Sequence, residues 1–212
     1  MAQLSFQNAI RLHKDAIALY KLGSFLTAYQ LSILSQEEIG KTFLLEEHIF
    51  QMAGRVKDID KETEDIMTKA LLSHRVKQRW FSRVADDYFK YKGKRLSKFI
   101  REVESGKLEE NKQNATYVGL TKQNKTMNPN GKIINPLKRV KTEDAKKHIT
   151  RVNDYIVDLI EGCRRGVYSV DTEEVDSCLT MDLAKELELL WSLKSKETQI
   201  SLRKIRKFEI DD

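Results

Sequence analysis

Breakers of regular structure are so scarce in this chain, and so unevenly placed, that they restrict the fold before any other feature is considered. Its only two prolines, Pro129 and Pro136, fall in one short window of 212 residues, and only nine glycines accompany them. Proline removes a backbone donor and fixes φ, so a long stretch free of it, with apolar residues every three or four positions, is expected to be helical. Charged residues make up 33% of the chain, which suits helices with solvated outer faces. We therefore expect an all-α protein with one irregular insertion, about residues 111–140, where an Asn-Pro and an Asn-Gly join the prolines.

Residues 5–22 carry Phe6, Ala9, Ile10, His13, Ala16, Ile17 and Tyr20 on one stripe, closed by Gly23, with Ser24 placed to cap the next helix. From Phe25 to about Ala53 the chain is apolar on nearly every side and is interrupted only by Gly40, as a central buried helix would be. Residues 60–72 and 74–91 read as one long helix or two in tandem, followed by a short amphipathic piece at 94–104. In the insertion, Tyr117–Leu120 and Lys132–Ile134 are able to pair as a hairpin. Thr142 then caps a helix whose inner face is Ala145, Ile149, Val152, Ile156, Leu159 and Ile160. The stripe from Val175 to Trp191 predicts a long C-terminal helix. This gives a single helical domain over 1–193 and a basic helical extension over 194–212.

No basic start followed by an apolar run and no long uncharged apolar stretch occurs, which predicts a cytoplasmic protein with no membrane partner. Cys163 and Cys178 lack metal-type spacing, as do the histidines, so neither a metal nor another cofactor is expected. The net charge of +6 is unevenly spread: basic residues crowd 75–101, 122–147 and 194–207. Such blocks are either solvated helix faces or the footprint of RNA or a ribosome.

The string SQEEIGKT, residues 35–42, approaches a phosphate-binding loop but has Ser35 where its first glycine belongs, and helical sequence where its strand belongs. On a helix, Glu37, Lys41 and His48 share a polar stripe with Gln30, and Glu37 and Lys41 stand four apart in the favourable order. Glu38 falls between Leu31, Leu45 and Ile49, so a buried carboxylate in need of a partner is expected there. Gly40, unfavourable inside a helix, predicts the close approach of another chain segment. In SHRVKQR, residues 73–79, His74 and Lys77 fall on the inner face with Phe81 and Val84, whereas Arg75, Arg79 and Arg83 face outward. Glu38, His74 and Lys77 are thus either a structural network or a polar site with His74 as acid or base.

AYQLSILSQEEIGKTFLL at 28–45, SHRVKQ at 73–78 and TYVGL ahead of INPLKRVKTEDAKKHI resemble the AbiV family of bacterial abortive-infection proteins over roughly residues 9–165. The resemblance implies a HEPN-like helical bundle, a homodimer, and phage resistance through shutdown of the infected cell, by arrest of translation or of phage development, with a phage-encoded protein as trigger. The positions matching the motif are Glu37, Glu38, Gly40, Lys41, His74, Lys77 and Tyr117. The arginine that many HEPN ribonucleases carry four to six residues before a histidine precedes none of His13, His48, His74 and His148. A ribonuclease or RNA-binding toxin, using Arg75, Arg79, Arg83 and Tyr117 on RNA, stands as the alternative.

Overall fold

Gly23, with φ +82°, turns the chain sharply between the two helices that found the bundle, α1 (Ala2–Lys21) and α2 (Phe25–Ala53). The computed structural model describes residues 1–53, 61–91, 97–120, 122–123, 126–127, 130–166 and 173–194. Small residues let the two helices approach closely: Ala9 and Ala28 are wholly buried, and Ser35 Oγ donates to the Ala9 carbonyl at 2.7 Å. Next come α3 (Lys61–Leu72) and α4 (His74–Tyr91), then α5 (Ser97–Glu104) and α6 (Lys107–Thr116). The tandem reading of 60–91 holds, since α3 and α4 meet at Ser73, whose hydroxyl accepts from Val76 N–H at 3.4 Å in the first turn of α4.

The expected hairpin is present. Strands β1 (Gly119–Leu120) and β4 (Ile133–Ile134) pair antiparallel, and β2 (Lys122–Gln123) pairs with β3 (Thr126–Met127) inside them. The short α7 (Pro136–Arg139) follows, with Asn135 as its cap. The irregular part of the insertion therefore begins at Tyr117 and not at 111, because α6 continues to Thr116.

The long α8 (Thr142–Arg164) passes through the centre, and the six residues expected on its inner face are all buried. Its start is held by Asp144, whose carboxylate accepts from Lys141 N–H at 3.0 Å, so Thr142 is the first helical residue and not the cap. The C-terminal helix is not one long rod. It divides into α9 (Glu173–Asp176) and α10 (Met181–Leu190), broken where Thr180 caps the second by accepting from Leu183 N–H. The chain leaves helical geometry at Trp191, because its indole turns inward to donate to Thr150 Oγ1 at 2.9 Å and to meet Tyr20 edge-on. Asp171 and the basic extension beyond 194 lie outside the described residues.

The core is centred on Phe81, which packs edge-on against Tyr155 and Phe99, with Phe6, Ile33, Ile39 and Ile156 around it. Burying each such side chain contributes about 1.5–3 kcal/mol, and this sets the bundle against its entropic cost. Polar groups also cross the core: His13 Nε2–H donates to Asn153 Oδ1 at 3.0 Å, and Asn153 donates to the Trp191 carbonyl at 3.3 Å. Burial drives the His13 pKa down to about 4, against a smaller upward pull from the Asn153 hydrogen bond.

Candidate functional site

The string SQEEIGKT lies wholly within α2, and its residues face three different neighbours. Ser35 faces α1 through the Ala9 carbonyl, and Thr42 Oγ1 donates to the Glu38 carbonyl at 2.9 Å. Gly40 faces α4 so closely that a Cβ on it would stand 2.0 Å from the Lys77 carbonyl oxygen and 3.0 Å from Phe81 N. The approach expected from a glycine inside a helix is therefore real, and it is made by the backbone of α4.

That contact places Glu37 at the centre of a buried polar cluster drawn from three helices. Glu37 is 1% exposed, and both of its oxygens are engaged. Oε2 accepts from His74 Nδ1–H at 2.6 Å, whereas Oε1 accepts from Gln78 Nε2 at 2.7 Å and from Lys112 Nζ at 2.8 Å. Glu109 closes the cluster from α6: its Oε2 accepts from Gln78 at 2.9 Å and pairs with Lys112 at 2.8 Å, while Oε1 accepts from Gln113 at 3.0 Å. Two carboxylates around one buried ammonium, each satisfied, is an arrangement in which every charge has a partner. Burial pushes the Glu109 pKa up, but the hydrogen bond and charge of Lys112, Gln113 and the His74 charge outweigh it and hold the carboxyl below its ordinary value.

His74 is the member of the cluster that reaches water, its side chain being half exposed. With Nδ1–H committed to Glu37, Nε2 is the nitrogen left for an external group, the orientation a carboxylate gives to an acid or base histidine. Glu37, His74 and Glu109 also offer ligand atoms within 4.8 Å of one another, a set invisible in linear spacing because each comes from a different helix. The Lys112 ammonium already stands between the two carboxylates as the positive charge of the centre.

The carboxylate that meets His74 is thus Glu37 and not Glu38. Glu38 lies at the margin, pairing with Lys41 at 3.6 Å, so the expected Glu37–Lys41 pair is replaced by a Glu38–Lys41 pair three residues apart. The cause is that α2 is packed on all sides: its polar stripe, which would face water on a surface helix, here faces α4 and α6. Lys77 is buried as expected, but the lysine that reaches Glu37 is Lys112. The side chain of His48 lies outside the described residues. Gln78, Glu109 and Lys112 were not anticipated. Glu109 and Lys112 sit three apart on one helical face, a signal readable only if Lys107–Thr116 is recognised as a helix.

Arg75, Arg79 and Arg83 face outward as expected. Arg75 lies against Gly106 and donates to the Glu104 carbonyl at 3.3 Å. Arg79 and Arg83 line an open groove with Ser82, Asp86, Ile100 and Glu104. Tyr117 is exposed at the start of the hairpin, away from the buried cluster.

No curated protein and no solved structure matches the chain significantly. A sequence model for AbiV, within the HEPN group, matches residues 1–156, which include α1, α2, α4, α6, the hairpin and most of α8. A match over that much of the chain, on an all-helical bundle, shows that the protein belongs to the AbiV family, whose role is abortive infection and phage defence.

Proposed function

We propose that the protein is an effector of phage defence that arrests translation or phage development in the infected cell by contact with a phage-encoded protein, and that the insertion makes that contact. The observation carrying this reading is the apolar face of the hairpin: Tyr117, Val118, Ile133 and Leu137 are 66%, 74%, 73% and 78% exposed. Large apolar side chains grouped in this way mark an interaction surface. The hairpin springs directly from α6, whose Lys112 and Glu109 anchor it to Glu37, so the buried cluster is a rigid base for the recognition loop. The active form is a homodimer, for which α10 offers exposed Met181 and Leu189.

A second reading is an RNA-directed activity centred on His74, favoured by the half-exposed ring whose Nδ1–H is held by Glu37. Here Nε2 would exchange a proton with an RNA hydroxyl, and Arg79 and Arg83 would face the phosphates.

The two readings separate in phage-infected cells carrying the gene, with RNA integrity and new protein synthesis followed together. The first expects arrested synthesis over intact RNA, protection lost on Val118→Ser with Ile133→Ser, and protection retained on His74→Asn. Discrete RNA fragments preceding arrest, with protection lost in His74→Asn, would overturn it in favour of the second.

A further inference from the structure

A second polar cavity, of about 110 Å³, lies on the other side of α6 and shares no lining residue with the Glu37 cluster. Leu108 and Asn111 of α6 form one wall, Tyr29 of α2 another, and His148 and Arg151 of α8 the floor. Arg139 from α7 and Lys147 complete its positive side.

Three features mark the cavity as built to hold something. His148 is 3% exposed, lines the cavity, and its Nε2 has no hydrogen-bond partner. A buried ring nitrogen left unsatisfied is costly, and a ligand oxygen meeting it would remove that cost. The lining carries three cationic side chains, Arg139, Lys147 and Arg151, against two carboxylates, Glu102 and Asp144. Asp144 is already committed to the start of α8, where it accepts from Lys141 N–H. The positive side therefore prevails, and the neutral donors of Tyr29 and Asn111 add to it. The volume is well below the roughly 300 Å³ at which pockets begin to hold drug-sized molecules. It suits a group of a few heavy atoms.

We propose that this cavity binds a small tetrahedral oxyanion of the phosphate class, held by Arg139, Lys147 and Arg151 with His148 as a further hydrogen-bond partner. Guanidinium groups bind such oxygens in a planar fork, and the lysine adds a point charge. The neutral form of His148 is favoured first by its burial and then by the charges of Arg151, His13 and Lys147, which hold its pKa well below the usual value. As a neutral ring it can donate through Nε2 without adding to the crowd of positive charge.

The test is calorimetric titration of the full chain with inorganic phosphate, alongside thermal unfolding in phosphate and in sodium chloride of equal ionic strength. The wild-type protein is expected to bind with a submillimolar Kd and to melt about 3 °C higher in excess phosphate. The double variant Arg139→Gln, Lys147→Gln is expected to bind at least tenfold more weakly, with unchanged circular dichroism. Phenyl phosphate binding tenfold more tightly than inorganic phosphate would identify the end group of a larger molecule as the source, and equal affinity the free ion. No heat and no shift with phosphate would overturn the proposal, as would undiminished binding by the double variant or equal stabilisation by glycine.

Discussion

Substituting Gly40 by alanine sets two physical expectations against each other, and the structure decides between them. Intrinsic propensity alone favours alanine inside a helix by about 1 kcal/mol, so the variant would be more stable. The added Cβ, however, would stand 2.0 Å from the Lys77 carbonyl oxygen, where ordinary contact begins at 3.4 Å. The obstacle is backbone at every near contact, Lys77 O, Lys77 C and Phe81 N, and no rotamer can move it aside. Helices α2 and α4 must therefore part by about 1.4 Å, an overpacking that costs about 3 kcal/mol, at the upper end of the usual range. The same displacement stretches the Glu37 bonds to His74 and Gln78, now 2.6 and 2.7 Å, and hydrogen bonds to a charged group contribute about 1.5–3 kcal/mol. Allowing for the propensity gain, the net loss is about 3–5 kcal/mol. In urea, with a slope of about 2 kcal/mol/M, the midpoint followed by far-ultraviolet circular dichroism should fall by about 2 M. A midpoint unchanged or raised in Gly40→Ala would refute the close approach and, with it, the mechanism that places Glu37.

Two further outcomes are expected. Glu37→Gln should lower stability by about 2–3 kcal/mol, because an amide turned toward Lys112, Gln78 and His74 must set a donor against a donor. Glu38→Gln, which loses only a 3.6 Å pair at the margin, should change stability by less than about 1 kcal/mol. Equal urea midpoint shifts for the two variants would refute the assignment. His13 makes stability depend on pH in a defined window. Above its ordinary pKa of 6.5 both folded and unfolded states are neutral there; as pH falls from 6.5 toward 4 only the unfolded chain gains the proton, so stability decreases. The loss approaches about 3 kcal/mol, and His148, also depressed by burial, acts in the same direction. Urea midpoints at pH 7, 6 and 5 measure it, and a flat profile would exclude a buried neutral His13.

How far the sequence reveals each element depends on how that element is stabilised. Gly40 was legible because a glycine in an otherwise unbroken apolar helix has few explanations besides close contact. The β1–β4 hairpin was legible from short apolar runs on either side of turn residues. The choice between Glu37 and Glu38 was not, because a helical wheel orders residues around an axis without saying which sides are packed. On α2 every side is packed, so the polar stripe marked an internal site and not a solvated face. Helix α6 was missed for a related reason. Apart from Leu108 and Ala115, its inward residues are polar, Lys112 among them, and no apolar stripe announces them. Periodicity methods fail where the buried face of a helix is itself charged. The C-terminal break at Thr180 and Trp191 escaped notice because it depends on where one indole finds its hydrogen-bond acceptor, a matter of tertiary contact.

Helix α6 has only ten residues, fewer than the dozen or so that an isolated helix needs to persist in water. Its order is therefore lent by its neighbours: Glu37 on one side, the Tyr29 cavity on the other, and the hairpin at its end. In hydrogen-exchange terms it belongs with the segments that open at less cost than the whole domain, while α8 and the Phe81 core stay closed. Such an opening would carry Glu109 and Lys112 away together. Glu37 and His74 would then remain on α2 and α4 as an acid–base pair facing water, with the rest of the fold intact.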